Sequence, residues 1–386
     1  MYYYIHTFGC KVNQYESQLI NEIFEDLQFD KALFPENANI IIVNSCTVTA
    51  NADKKCKSYL KKISRLPNKP KIILIGCITK SYAISEIKSL FPNILVKDKE
   101  DFFREKKSIK SFDKHYRAFL KIQDGCKNFC SYCIIPYIRS TLWSKNQDRI
   151  ISEIEQLVKN GYSEVVLTGI NIGEYKTGIS NLLKKIVKIP LDFRIRLSSI
   201  ELNAIDSHFV NIMKLNQKKL CAHLHIPIQS GNNNILKEMG RRYSTEKFKN
   251  IINELVKVLP KLAVTTDIIT GFPGETEEQH RGTCDLIKKI PFARLHIFKY
   301  SDRIGTKAYS LSNKISLDSI RKRAYELRKI DKQKRKKFIK DNVGEIRKAI
   351  KISKDKVLTD NYITVKMHPI NNKGIFRVKI TKDSII

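Results

Sequence analysis

The 386-residue sequence has no apolar run long enough to cross a membrane. Its strongest apolar runs, IIIV at 40–43 and IILIG at 72–76, have the length of β-strands, whereas a membrane helix needs about 20 apolar residues. The N-terminal residues also lack the basic segment and following apolar segment that a secretory signal requires. We therefore expect a soluble, cytoplasmic protein with no membrane partner.

Acidic residues are scarce, since 39 Asp and Glu stand against 71 Lys and Arg, a formal net charge of +32. Such an excess favours a polyanionic partner, because the basic groups release counterions when they bind a nucleic acid. The excess is largest between Arg321 and Lys340, within the predicted basic helix Ser316–Asp341. A solvated helix face has a similar composition, but a helix of nearly one sign repels itself without a partner. We predict that this segment binds nucleic acid.

A disulfide framework is not expected for the nine cysteines, because the cytoplasm keeps thiols reduced. Cys126, Cys130 and Cys133 follow the spacing Cys-x3-Cys-x2-Cys, and no fourth cysteine comes close behind them. Three thiolates can hold three irons of a cubane cluster and leave the fourth iron free for a substrate or cofactor. A ferredoxin normally supplies a fourth cysteine. A zinc site with a distant fourth ligand is the alternative.

The N-terminal part alternates strand and helix patterns, which is typical of an α/β domain with a doubly wound parallel sheet. Its predicted strands are Tyr2–Phe8, Asn39–Asn44 and Lys71–Ile75. Three cysteines follow these strands: Cys10, Cys46 and Cys77. Because parallel strands gather ligands at their carboxyl ends, we predict that these cysteines share a second metal or cluster site at one edge of the sheet.

Six further strand patterns follow residue 116, separated by amphipathic helical segments. They are Arg117–Gln123, Glu164–Thr168, Arg194–Ser198, His223–Pro227, Ala263–Ile269 and Arg294–Tyr300. Six β/α units predict a partial (β/α)6 barrel rather than the closed barrel of eight units. The loop that carries Cys126, Cys130 and Cys133 follows the first strand, on the face where such barrels hold their active sites.

With the remaining segments, the sequence predicts a chain organised in four parts. The charged segment Asp98–His115 is interpreted as a linker. Three short strand patterns near the C-terminus, at Arg347–Ser353, Tyr362–His368 and Ile375–Thr381, predict a small all-β barrel that packs on the rest of the chain. The predicted parts are an N-terminal domain at 1–105, a barrel at 116–310, a basic helical connector at 311–345 and the all-β unit at 346–386.

The cysteine spacing at 126–133 resembles the cluster motif of radical S-adenosylmethionine (SAM) enzymes. With TFGCKVNQYES, VNSCTVT and IGC around the other three cysteines, it is similar to the methylthiotransferases. Further similar runs are LTGINIGEY (167–175), RLSSIE (196–201), HLHIPIQSGNNNILKEMGRRY (223–243), DIITGFPGE (267–275) and YSDRIGTKA (300–308). TDNYITV (359–365) resembles the core of the RNA-binding TRAM domain. TFGCKVNQYES, KIQDGC and HIFKYSDRIGT most resemble the enzymes that act on N6-threonylcarbamoyladenosine at position 37 of tRNA.

This resemblance implies a radical SAM barrel between an auxiliary-cluster domain and a TRAM-like barrel. It implies two [4Fe–4S] clusters, one on the catalytic cysteines Cys126, Cys130 and Cys133 and one on Cys10, Cys46 and Cys77. SAM would bind the first cluster, and a donor such as flavodoxin or ferredoxin would supply the electron that cleaves it. The resulting radical would abstract hydrogen from the adenine, and the second cluster would deliver sulfur. An adenine C2–H bond is not acidic, so radical cofactors suit the chemistry better than general acid–base catalysis.

Three residues are predicted to contact SAM. Tyr132 lies where the family contacts the adenine of SAM, although plain packing of its ring is an equal alternative. Glu201 and Gln229 end strands on the active-site face and could hydrogen-bond the ribose or amino group. His223 and His225 point to one face of a strand and are interpreted as core histidines rather than a metal pair.

The predicted RNA partner is the tRNA anticodon loop, since single-stranded loops expose bases to aromatic and cationic side chains. Arg241, Arg242 and the strand that holds Tyr362 are candidate contacts, and we expect a monomer. The family commonly has Arg-Gly and a basic stretch where this chain has Arg139 followed by Ser140. The alternatives are isopentenyladenosine-37, a ribosomal protein side chain, or a non-catalytic protein that binds zinc and RNA.

Overall fold

The computed structural model describes residues 1–99, 102, 108–113, 115–367 and 374–385. The predicted linker Asp98–His115 and the end of the predicted strand Tyr362–His368 lie partly outside these residues. No helix within the described ranges is both long and apolar enough to cross a membrane.

The N-terminal domain contains a five-stranded parallel sheet in the order β2-β1-β3-β4-β5. Its strands are β1 (Tyr2–Thr7), β2 (Asp30–Lys31), β3 (Ile40–Ser45), β4 (Lys71–Gly76) and β5 (Leu95–Val96). This order belongs to doubly wound sheets, whose ligands bind at the carboxyl ends of the strands where the order reverses, here between β1 and β3. The predicted doubly wound sheet is confirmed, and the two short edge strands are additional.

Helices cover both faces of this sheet. Helix α1 (Lys11–Asp26) covers one face, and helices α2 (Ala50–Ile63) and α3 (Ala83–Leu90) cover the other. Successive strand residues point to opposite faces, so Ile41 packs beneath α2 whereas Ile42 packs beneath α1. Both faces of the strands are therefore apolar, which explains the continuous run IIIV in the sequence.

The central domain has six parallel strands arranged as two sheets, β10-β9-β6 and β11-β12-β13. The strands are β6 (Ala118–Lys121), β9 (Glu164–Thr168), β10 (Arg194–Leu197), β11 (His223–His225), β12 (Ala263–Thr270) and β13 (Arg294–Lys299). Single bridges from Ile195 to Leu220 and from Ser199 to His225 join the two sheets. Among the described residues, β6 and β13 have no strand on their outer sides. The predicted partial barrel is confirmed.

Amphipathic helices surround this barrel and bury their apolar faces in its core. They are α5 (Gln147–Lys159), α6 (Ile179–Ile186), α7 (Ser207–Leu215), α9 (Thr245–Val258) and α10 (Glu277–Lys289). The shorter α8 (Asn233–Glu238) contributes Ile235 to a separate apolar cluster with Phe272 and Ala308. Two short strands, β7 (Gln123–Asp124) and β8 (Trp143–Ser144), pair on either side of the cysteine loop and of the single helical turn α4 (Ile135–Ile138). The loop is thus closed at its base by backbone hydrogen bonds.

The C-terminal part is a long helix followed by a small antiparallel sheet. Helix α11 (Leu317–Lys340) packs against β13 and α10. The sheet has the order β16-β15-β14-β17. Its strands are β14 (Ile346–Lys351), β15 (Lys356–Thr359), β16 (Thr364–Lys366) and β17 (Phe376–Lys379). The all-β unit expected from the sequence is therefore present with one more strand, β15, than its pattern predicts.

A buried group of charges holds the C-terminal sheet against the barrel. The fully buried Glu164 accepts hydrogen bonds from Arg194 Nε at 2.6 Å and from Arg196 Nε at 2.9 Å. The other guanidinium nitrogens donate to backbone carbonyls of the sheet, at 2.9 or 3.0 Å: Lys348, Leu358, Thr359 and Asp360. Glu164 and Arg194 begin their strands, so the sheet covers the amino end of the barrel, opposite the cysteine loop.

Replacing Arg196 with alanine should strongly destabilise this junction. The change leaves Glu164 with less compensation for its buried charge and removes donors from two carbonyls, so we expect a loss of about 3–5 kcal/mol in unfolding free energy. Urea denaturation of the full chain measures it. The control is Arg321→Ala, whose exposed pair with Asp318 at 3.0 Å should contribute under about 1 kcal/mol. Equal losses in both variants would contradict the prediction.

Candidate active site

The structure brings Cys10, Cys46 and Cys77 together at the carboxyl edge of the N-terminal sheet. Cys46 follows β3 directly, Cys77 follows β4 directly, and Cys10 is the N-cap of α1. The pKa of the Cys46 thiol is raised to about 11, chiefly by burial and in part by the neighbouring thiols of Cys77 and Cys10. The three thiols therefore lie at one edge of the sheet and act on one another electrostatically.

Two glycines permit this close approach. Gly9 has a φ of +100°, and a Cβ added to it would lie 2.7 Å from the Cβ of Cys46. Gly76 has a φ of +94°, and a Cβ there would lie 2.5 Å from the carbonyl oxygen of Ser45. Any larger residue would therefore both strain the backbone and push the cysteine-bearing segments apart. The edge suits a three-cysteine cluster.

Cys126, Cys130 and Cys133 also lie close together on the loop after β7. The backbone N–H of Asn128 donates to Cys126 Sγ at 3.5 Å, and Arg241 Nη1 donates to Cys130 Sγ at 3.4 Å. Burial raises the pKa of the Cys133 thiol to about 12, with smaller contributions from Cys130 and Cys126. N–H groups that point at sulfur are what the thiolates of an iron–sulfur cluster accept. These residues fit the expected cluster.

A cavity of about 260 Å³ opens beside Cys130 on the barrel face of this loop. Glu201 and Arg241 form an ion pair in its wall, and Asn171 lines it while its side-chain amide reaches Cys126 Sγ at 3.9 Å. A carboxylate beside a guanidinium offers partners to both the ammonium and the carboxylate of an amino acid. This cavity therefore fits the amino-acid end of SAM.

A second cavity of about 180 Å³ lies between the N-terminal domain and the barrel. Val48 and Thr49, which follow Cys46, form one wall, and Tyr132, Cys133 and Gln229 form part of the other. We name it the interdomain cavity. Segments that carry both sets of cysteines therefore border one space.

The three residues predicted to contact SAM are divided between these cavities. Glu201 lines the first, whereas Tyr132 and Gln229 line the interdomain cavity. Tyr132 packs against an apolar cluster that includes Met239 and Phe272, so its packing alternative has a structural basis. Gln229 has a φ of +73°, and its buried Oε1 accepts no hydrogen bond from the described residues. A strained residue with an unsatisfied buried acceptor is typical of a ligand contact.

Arg139 connects the two domains next to Cys77. Its Nε donates to Cys77 Sγ at 3.2 Å, and its Nη1 donates to Asp124 at 2.8 and 2.9 Å. Its Nη2 donates to Asn13 at 2.9 Å and to Glu16 at 3.1 Å, both on α1. Burial alone would raise the pKa of Glu16, but Arg139 and the nearby lysines hold it well below its usual range. The guanidinium is thus enclosed by acceptors from both domains.

A second arginine ties the loop after Cys46 to the end of the barrel. Arg303 donates from Nη1 to Asp53 at 2.7 Å and from Nη2 to Thr47 at 2.6 Å. Arg303 lies within the run YSDRIGTKA and Arg139 precedes the departure from the family at Ser140, but the sequence analysis predicted no role for either arginine. Partners this far away in the chain leave no local pattern, so the acidic and sulfur contacts become visible only in the folded protein.

The structure corrects the predicted RNA contact of Arg241. Arg241 is buried, with its side chain 4% exposed and paired with Glu201, so it is not a surface contact for RNA.

His223 and His225 are buried as expected. His225 Nε2 and His296 Nδ1 approach Asp267 Oδ1 at 3.2 and 3.3 Å, and they lower the pKa of Asp267 to about 2 although burial opposes this.

Comparisons with known proteins agree with this geometry. The family model described as "Radical SAM superfamily" matches residues 120–287, and that described as "Uncharacterized protein family UPF0004" matches residues 2–96. A Bacillus subtilis protein named threonylcarbamoyladenosine tRNA methylthiotransferase MtaB is 34% identical, over 98% of this chain and 93% of its own length. One of the same name from Thermotoga maritima is 36% identical, over 90% and 85%.

The chain belongs to the radical SAM methylthiotransferase family. It is therefore an enzyme that uses SAM, and methylthiotransferases carry two [4Fe–4S] clusters, which agrees with its two sets of three cysteines. A solved structure with a similar fold is the radical SAM methyltransferase TsrM from Kitasatospora setae. Its TM-score is 0.57 at 13% identity, over 80% of this chain and 77% of that one. At this identity the likeness concerns the fold alone.

Substituting the two sulfur-contacting arginines of this methylthiotransferase should affect different clusters. We expect Arg139→Lys, which keeps the charge but loses the Nε donor to Cys77, to lower the reduction potential of the auxiliary cluster. Arg241→Lys should instead lower the potential of the cluster at Cys126–Cys133. Redox titration followed by electron paramagnetic resonance measures both. The two variants serve as controls for each other, and a shift of both clusters in each variant would contradict the prediction.

Proposed function

We propose that this protein converts N6-threonylcarbamoyladenosine at position 37 of tRNA to its 2-methylthio derivative. The observation that carries the proposal is the interdomain cavity, which is bordered by segments of both cysteine sets. A base placed there would face the radical-generating side and the sulfur-delivering side together. Relatives named for threonylcarbamoyladenosine are 31–36% identical to this chain. A relative from Endomicrobium trichonymphae named for dimethylallyladenosine is 33% identical over 84% of this chain, so identity alone does not separate the two substrates. Threonylcarbamoyladenosine is supported by the 98% and 90% coverage of the first two relatives named for it, and by the runs TFGCKVNQYES, KIQDGC and HIFKYSDRIGT.

Each side chain has a distinct part in this reaction. The bound clusters and SAM would supply the radical and the sulfur, a second SAM would supply the methyl group, and an external donor would supply the electron. Cys126, Cys130 and Cys133 would hold the cluster that binds SAM, and the other three cysteines would hold the auxiliary cluster. Glu201 and Arg241 are placed to orient the amino-acid end of SAM by charge. The family resemblance assigns a contact with the adenine of SAM to Tyr132. The position of Gln229 at a strand end on the active-site face predicts a hydrogen bond to the ribose or amino group of SAM.

The charged side chains between the domains keep this arrangement rigid. Arg139 joins α1 to the barrel, and Arg303 joins the loop after Cys46 to the segment after β13. A radical must reach its target before it reacts with anything else, so the distance between the two sides of the cavity has to be fixed in advance. We assign these two arginines a positioning role.

The remaining partners follow from the same proposal. A small one-electron donor such as flavodoxin or ferredoxin would reduce the cluster at Cys126–Cys133, and the enzyme would act as a monomer in the cytoplasm. All nine cysteines, each within the described residues, are free thiols. This agrees with a reducing compartment.

Two cysteine substitutions separate the two cluster roles. With anaerobically reconstituted protein, Cys126→Ala should abolish cleavage of SAM to 5′-deoxyadenosine. Cys10→Ala should retain cleavage but form no 2-methylthio product, because only sulfur delivery is lost. Mass spectrometry of SAM products and tRNA nucleosides measures both. Cys284→Ala, which removes a thiol assigned to neither cluster, is the control and should retain both activities.

The wild-type reaction tests the substrate. Incubation with tRNA that carries N6-threonylcarbamoyladenosine should yield its 2-methylthio derivative, whereas tRNA with isopentenyladenosine should remain unchanged. Modification of isopentenyladenosine alone would reject the substrate but not the reaction type. Zinc without iron or sulfide in the reconstituted protein would reject the enzyme and favour a protein that only binds RNA.

A further inference from the structure

A third cavity lies at the amino end of β12 and β13, at the opposite end of the barrel from the loop that carries Cys126, Cys130 and Cys133. Its volume is about 140 Å³, roughly ten times the 10–15 Å³ that one water needs. The barrel edge forms one wall, the last third of α11 forms another, and the turn between β15 and β16 forms the third. We name it the junction cavity. It lies where the barrel, the basic helix and the C-terminal sheet meet.

The junction cavity is positively charged. Its described lining includes two guanidinium groups, those of Arg294 and Arg335, and no carboxylate. Asp331 lies behind the lining, with Oδ2 3.7 Å from Arg294 Nε. Desolvation and the nearby charge of Arg294 lower the pKa of Arg335, and Asp331 opposes this effect only in part. Two neighbouring cations at the wall of a concave site favour a bound anion.

Much of the remaining wall is apolar and aromatic. Phe338, Ile339, Tyr362 and Ile363 line the cavity together with the polar Thr265, Asn361 and Thr364, and the half-exposed His296 lies at the edge that faces the open barrel. Proteins that bind single-stranded RNA combine aromatic surfaces for the base with cations for the backbone phosphate. The combination in the junction cavity therefore suits a nucleotide better than a free inorganic anion.

The wall that carries Tyr362 is held in place before any ligand binds. Tyr362 has a φ of +68°, which is unfavourable for a tyrosine and persists only where the surroundings fix it. Its ring stacks on His223 with 4.4 Å between ring centres, and the Arg196 guanidinium lies 4.9 Å from the ring centre. Arg196 is itself anchored on Glu164. The cavity is thus preformed, which reduces the entropic cost of binding.

Strand β12 connects this cavity to the interdomain cavity. Thr265 lines the junction cavity, and Ile269 lines the interdomain cavity. Four residues of strand span about 13 Å, which is close to three or four stacked nucleotides at roughly 3.4 Å each. The open side of the barrel leaves the intervening face, with Asp267 and His296, uncovered by any further strand among the described residues.

We propose that the junction cavity binds a nucleotide of the RNA substrate that flanks the modified one, with its phosphate held by Arg294 and Arg335. This inference rests on the proposed function and adds a second anchoring point for the RNA. A loop held at two points places its target base in the interdomain cavity by geometry rather than by contacts to that base alone.

Binding of an anticodon stem–loop RNA that carries N6-threonylcarbamoyladenosine tests the proposal. Fluorescence anisotropy over a range of salt concentrations measures affinity for the full-length protein and for Arg294→Gln and Arg335→Gln. We expect each variant to bind about tenfold more weakly, because it loses one charge-assisted hydrogen bond. The magnitude of the slope of log affinity against log salt concentration should fall by about one, because one phosphate contact is lost.

The matched control is Lys322→Gln, which removes one charge from an exposed position on the same helix but away from the cavity. It should leave both the affinity and the salt slope near the wild-type values. Arg294→Lys keeps the positive charge and should retain most of the affinity. That result would show that Arg294→Gln binds weakly because it lacks the charge and not because it misfolds.

Three outcomes would overturn the proposal. Unchanged affinity in both arginine variants would show that the cavity holds no phosphate. Equal losses in all glutamine variants, Lys322→Gln included, would show a diffuse field of surface charge instead of a site. Wild-type protein that binds no such RNA but still cleaves SAM would reject the RNA substrate itself, and with it this inference.

Discussion

The arrangement of the active site depends on one buried guanidinium. Arg139 uses its N–H groups on acceptors that come from α1, from the segment before Cys126 and from the sulfur of Cys77. A charge buried in this way is costly unless its partners are all present. Since those partners come from both domains, the network is satisfied only when the domains are docked. The same contact therefore secures the fold and the separation of the two cysteine sets.

Buried arginines repeat this principle at the opposite end of the barrel. Arg194 and Arg196 use Glu164 as a common anchor and backbone carbonyls of the C-terminal sheet as further acceptors. The barrel is thus fastened at both ends, and its open side lies between β6 and β13. An RNA loop that reaches the interdomain cavity must approach a surface whose three parts already have fixed positions. Such preorganisation suits chemistry in which a radical has a single correct target.

Much of the architecture followed from local patterns. Strand periodicity predicted the six barrel strands and the three central strands of the N-terminal sheet, because each of these strands buries apolar residues. Strands β2 and β5 contain two residues each, and such short elements carry no periodicity. Arg241 was predicted to contact RNA because cationic side chains contact exposed bases, yet its charge is buried against Glu201. Only a partner distant in sequence decides whether an arginine is on the surface or in the interior.

The sequence by itself determined which residues can do the chemistry. The spacing of Cys126, Cys130 and Cys133 and the positions of Cys10, Cys46 and Cys77 after strands are local properties of the sequence. Together with the order of the strands, they predict two sets of thiols. Only the tertiary structure decided how these sets face each other, why Glu201 and Gln229 lie in different cavities, and where the positive charge is concentrated. Those features arise from contacts between domains, and such contacts depend on how surfaces fit and not on the order of residues along the chain.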